Sequence, residues 1–139
     1  IKILHLGHSF NLPIDYLPNS LKILVLGTHF NCTISNLPSG LKNLKIINTF
    51  DNMIYEQMCY FNQDLNCLPD SIEHITIYNS NYNKKICKLP QMLKKIYLNK
   101  QYLYSTNKHT SNTNKFDIIH VLKKQNIDYK TTLFEYECI

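Results

Sequence analysis

Residues 17–36, LPNSLKILVLGTHFNCTISN, decide the fold, because their pattern returns, whole or in part, along most of the chain. IKILHLGHSFNLPIDY (residues 1–16) is an earlier partial copy, and later units open at Leu37-Pro38, Leu68-Pro69 and Leu89-Pro90. Counted from Leu17-Pro18, the Leu-Pro pairs are 20, 31 and 21 residues apart, so one unit carries an insertion of about eleven residues. A period near twenty marks a solenoid, each unit forming one coil.

Aligned on their apolar positions, the units give Ile1, Leu4, Leu6; Leu21, Leu24, Leu26; Leu41, Leu44, Ile46; Ile72, Ile75, Ile77; and Leu93, Ile96, Leu98. The last two positions of each triplet are two apart, which is strand spacing and sends both side chains to one face. An aromatic follows in every unit: Phe10, Phe30, Phe61, Tyr82 and Tyr102. Behind the first four come Asn11, Asn31, Asn62 and Asn83, then the aliphatics Ile14, Ile34, Leu65 and Ile86, then Leu-Pro. The fifth unit breaks the order, with no asparagine after Tyr102, and the ladder is expected to stop there.

This order resembles the FNIP repeat, a short relative of the leucine-rich repeat, and FNLPI at residues 10–14 is nearly the motif itself. The resemblance covers residues 1–104 and implies a leucine-rich-repeat-like solenoid, a parallel β-sheet of about five short rungs with mostly irregular return segments. Similar repeats occur mainly in proteins of amoebae and their giant viruses, some of which carry an upstream F-box. The resemblance therefore implies target recognition for an F-box-type ubiquitin ligase. Because the chain opens at Ile1 partway through a repeat, residues upstream are expected to supply the F-box and its contact with a ligase adaptor.

One coil cannot bury its own apolar face, so coils must stack and share a continuous core. Triplet, aromatic and aliphatic residues are expected to point inward, with strands about 4.8 Å apart. The asparagine side chains are expected to form a structural ladder at Asn11, Asn31, Asn62 and Asn83, satisfying main-chain groups of their own turn and the next. On that reading Asn31→Ala costs about 1 to 3 kcal/mol, and emptying the aromatic slot with Phe30→Ala about 3 to 5.

The insertion, about residues 48–60, is expected to bulge from the rim, with Phe50, Met53, Ile54 and Met58 along one side of a short helix. Residues 105–114 form a polar linker, and residues 115–139 a C-terminal cap. Within the cap, 115–125 has helical spacing between Asn114 as N-cap and Asn126 as stop, and TTLFEYEC reads as a strand. Together they are expected to close the last rung.

Composition narrows the function. All fifteen basic residues are lysine, and the net charge of +5 accompanies heavy use of residues with A/T-rich codons, which weakens its functional meaning. Without arginine the bidentate forks that read phosphate and guanine are missing, so nucleic acid is not expected as a partner. No run of eighteen apolar residues and no signal-peptide pattern occurs, so no membrane association is expected and the chain is placed in the cytoplasm, the host's if it is viral. Five cysteines without C-x-x-C spacing suggest reduced thiols rather than disulfides or zinc. His5-x-x-His8 lacks an obvious third metal ligand. No carboxylate dyad, phosphate-binding glycine loop or nucleophile elbow is present, so neither catalysis nor a cofactor is expected.

The residues alternating with the core positions form two columns on the open face of the sheet: Ile3, Ile23, Asn43, His74, Lys95, and His5, Val25, Lys45, Thr76, Tyr97. Such faces commonly bind partners, so these ten residues are the expected partner-binding surface of a non-catalytic protein-interaction module. Lys2, Lys22, Lys42 and Lys94, with Glu73, occupy a further repeat position, a lysine-rich edge suited to an acidic partner. The rival reading is a structural repeat protein whose columns pack against copies of itself.

Overall fold

The structure is a computed structural model that describes residues 1–47, 59–78, 82–106 and 111–136. Five strands follow the triplets: β1 (Ile3–His5), β2 (Ile23–Leu26), β3 (Asn43–Ile46), β4 (His74–Ile77) and β5 (Lys95–Asn99). Helices α1 (Lys100–Tyr104), α2 (Asn114–Lys124) and α3 (Tyr129–Thr132) then lead to β6 (Leu133–Tyr136). The sheet is parallel throughout, in the order β1-β2-β3-β4-β5-β6. It is a leucine-rich-repeat-like solenoid, with one strand more than the five triplets predict.

Register follows the repeat. Leu4, Leu24, Leu44, Ile75 and Ile96 are successive partners across the sheet. Leu24, Leu44, Ile75 and Ile96 are completely buried. Each coil is set by a turn in which the carbonyl of Pro18, Pro38, Pro69 or Pro90 accepts from the amide three residues on, at 3.0 to 3.2 Å. Proline therefore opens the turn that feeds the next strand, where its fixed φ helps and its missing N–H does no harm. Coil backbones approach closely enough that a Cβ on Gly27 would lie 2.6 Å from the Gly7 carbonyl oxygen, which explains glycine there. Ile1 departs from the inward placement of its slot: at the terminus, outside β1, it is 78% exposed.

The aromatics form a stack along the axis. Phe10, Phe30, Phe61 and Tyr82 lie 6.1 to 6.4 Å apart with nearly parallel rings, and Tyr102 continues the row at 5.2 Å, tilted by 59°. Phe61 keeps its place despite the insertion, because Tyr60 N donates to the Thr28 carbonyl at 2.8 Å and re-enters the coil. The helix expected across Phe50, Met53, Ile54 and Met58 lies outside the described residues.

Beyond Tyr102 the chain departs from the repeat. Asn99 caps α1, its side chain accepting from Gln101 N. The N-cap of α2 is Thr113 rather than Asn114, since the Thr113 hydroxyl accepts from Phe116 N at 3.3 Å. Asn114 instead turns inward, and its Nδ2 donates to the buried Tyr102 carbonyl at 2.8 Å. At the other end Asn126, at φ 59°, stops the helix. Ser105 is anchored by Asn114 N, which donates to its carbonyl at 3.0 Å, and Thr106 forms an antiparallel bridge with Thr113, so the described parts of the polar stretch are tied together.

The last coil is closed by a side chain. Gln125 Oε1 accepts from Leu89 N at 3.2 Å, and its Nε2 donates to the Leu89 carbonyl at 2.8 Å. One side-chain amide at the end of α2 thus satisfies both main-chain groups of Leu89 at the Leu89-Pro90 turn. Gln125→Ala leaves both groups without these partners, and an expected loss of about 1 to 2 kcal/mol would appear as a lower melting temperature.

Candidate interaction face

The strands alternate inward and outward, and all ten expected face residues lie in two registered columns. Ile3, Ile23, Asn43, His74 and Lys95 are successive partners in one, and His5, Val25, Lys45, Thr76 and Tyr97 in the other. All retain contact with solvent, most at the β1 edge, where Ile3 is 62% exposed. The second column is one residue longer than the repeat indicates, because Phe134 pairs with Tyr97 and stacks on it at 4.8 Å. Lys95 Nζ lies 5.7 Å from the Phe134 ring centre. The alternation of TTLFEYEC marks a strand in sequence, but nothing in it gives the register that puts Phe134 on this face. Within the first column the Asn43 Oδ1 atom is enclosed without a hydrogen-bond partner.

The asparagines run along the opposite bend. Asn31 N donates to Asn11 Oδ1 at 2.8 Å, Asn62 N to Asn31 Oδ1 at 2.8 Å, and Asn83 N to Asn62 Oδ1 at 3.1 Å. The side chains of Asn11, Asn31 and Asn62 therefore each serve the main chain of the next coil, whereas Asn83 Oδ1 accepts from Asn62 Nδ2 at 2.9 Å. A second polar row, not foreseen from sequence, lies nearer the Leu-Pro turns: Asn36 Nδ2 donates to Asp15 Oδ1 at 3.1 Å, and Asn66 Oδ1 accepts from Cys87 N at 2.7 Å and Lys88 N at 3.0 Å. Irregular spacing of Asp15, Asn36 and Asn66 within their units hides it.

The lysine-rich edge is not uniformly free. Glu73 pairs with Lys94 at 2.6 Å and Lys42 at 3.1 Å, and Lys22 Nζ donates to the Gly40 carbonyl at 3.2 Å. Hydrogen bonds from Lys94 and then Lys42 hold the Glu73 carboxyl down at about 2. With the folded value below the ordinary one of 4.5, the stabilisation is complete above that pH and is lost as pH falls toward about 2. Glu73→Gln should therefore flatten the acid limb of a melting-temperature profile over that window.

His8, His29 and Tyr60 pack ring to ring on the bend, at 4.4 and 5.1 Å. Burial, and then the neighbouring His29, push His8 below the usual histidine range. Among the described residues no group of three or more histidine, cysteine or acidic side chains is arranged to hold a metal. A hollow of about 430 Å³ between the last repeat and α2 is lined by residues including Cys87, Lys88, Val121 and Lys124, with no carboxylate or histidine in its wall. Among the described residues no helix is long and apolar enough to cross a membrane.

Comparison with known proteins settles the family. The model of the FNIP repeat matches residues 12–49 and 61–101, more than half of the chain. The chain belongs to the FNIP repeat family. No curated protein matches it. Among solved structures, this FNIP repeat chain is similar to the giant-virus protein CroV588, described as a novel circular LRR protein. The identity is 34%, over 71% of this chain and 17% of that one, with a TM-score of 0.44. The FNIP chain therefore spans less than a fifth of that protein's length.

Proposed function

We propose that this FNIP repeat chain is a non-catalytic protein-interaction module, acting in the cytoplasm, whose open sheet face holds a protein partner. The observation that carries the reading is the juxtaposition of Ile3, Ile23 and Val25 as adjacent apolar side chains on solvent-accessible strands, continued in register by polar, basic and aromatic residues. Contiguous apolar surface rimmed by polar groups is costly to leave in water unless something covers it part of the time. Ile23→Asp places a charge at the centre of the apolar patch while leaving Leu24 and the core slots intact. A monomer that captures a protein from host lysate, and loses it on Ile23→Asp, supports the reading. Concentration-dependent self-association abolished by the same change, read by size exclusion with light scattering, supports the assembly alternative instead.

The finer assignment is the target-recognition part of an F-box-type ubiquitin-ligase receptor, with the F-box upstream of Ile1. It rests on resemblance. Co-purification of the full-length gene product with a ubiquitin-ligase adaptor, lost on deleting the upstream segment, is the expected result.

A further inference from the structure

The rim and the open face differ in how their charges are answered. On the rim, Glu73 neutralises the lysines of two neighbouring coils. The face has no such residue: neither column contains an aspartate or glutamate, and among the described residues neither Lys45 nor Lys95 has an ion-pair partner. Polarity also changes across the strands. The β1–β2 end presents Ile3, Ile23 and Val25, whereas β3 to β5 present Lys45, His74, Lys95 and Tyr97, with Phe134 stacked behind.

We propose that this face selects an extended acidic segment of its protein partner, apolar where it lies over β1 and β2 and carrying carboxylates where it crosses β3 to β5. The inference rests on the interaction reading above and specifies its ligand. Strands about 4.8 Å apart give a face of about 20 Å across five rungs, which about six extended residues span. Carboxylates on the far half meet Lys45 and Lys95 without a competing acid on the face. The near half takes apolar surface of both partners out of water. A single nucleic-acid strand would meet the aromatic shelf and two lysines, but its phosphates would lie against Ile3, Ile23 and Val25, which offer them nothing.

The test is selection from a randomised peptide library about twice that length, displayed against the whole chain, with an oligothymidylate of matched charge as the competing probe. Peptides enriched on the parent and lost on both Ile3→Asp and Ile23→Asp define binding through this face. Ile3 lies at the exposed edge, so its variant folds even if the other does not. The expected winners are acidic with an aliphatic cluster at one end. They should weaken at least about tenfold on the Lys45→Glu/Lys95→Glu double change, as read by fluorescence anisotropy, and weaken further with added salt. Face-dependent winners that are neutral or basic overturn the acidic assignment and leave the interaction reading standing. Tighter lysine-dependent binding of the oligothymidylate also overturns it. Absence of any face-dependent peptide overturns both.

Discussion

Phe30→Ala is expected to destabilise the chain by about 3 to 5 kcal/mol, more than truncating Asn31 or Gln125. Phe30 is completely buried, with Phe10 at 6.3 Å on one side and Phe61 at 6.4 Å on the other, so removing its ring opens a void between two coils at once. The rings on either side belong to two different coils, each already in backbone contact with the Phe30 coil between them, which limits how far they can collapse into the gap. In a stack stabilised by neighbour interfaces, two weakened interfaces together threaten the separation of the first coil from the rest. Chemical denaturation gives the loss as a lower midpoint, and a shallower slope would report that separation.

Asn31→Ala is the second. Asn31 Oδ1 accepts from Asn62 N at 2.8 Å and from Gln63 Nε2 at 3.1 Å, so the change strands a main-chain donor at the point where the chain returns from the insertion. The expected cost is about 1 to 3 kcal/mol, below that of Phe30→Ala because water reaches this bend and compensates part of the lost bond. Asn31→Asp is the informative companion: it keeps the acceptor that Asn62 N uses and should recover most of the stability. Melting temperatures equal to the parent's for both Phe30→Ala and Asn31→Ala would reject the placement of these residues in the coil.

The repeat was legible because every coil meets the same physical demand. Leu24, Leu44 and Ile75 each fill the same slot against a copy of themselves, so the sequence states the demand several times and the register follows from alignment alone. The same logic put the ten face residues in two columns without knowledge of any structure. Legibility fails where a residue acts once. Gln125 answers a turn thirty-six residues earlier and sits at a helix end where glutamine is unremarked in sequence. Thr113 and Asn114 are adjacent, and both are good capping residues. Only the position of the buried Tyr102 carbonyl decides that Asn114 turns inward and Thr113 takes the cap. Glu73 was visible as the odd member of a lysine row, yet whether it interrupts the row or bridges it depends on side-chain reach across coils.

Gln125's grip on the Leu89-Pro90 turn bears on how such an array changes its copy number. A duplicated unit spliced between Asn36 and Leu37 finds a matching neighbour above and below, whereas one spliced between Pro90 and Gln125 would carry the glutamine away from the turn it holds. Growth and shrinkage are thereby confined to the interior, and the terminus evolves under a different constraint from everything upstream of it.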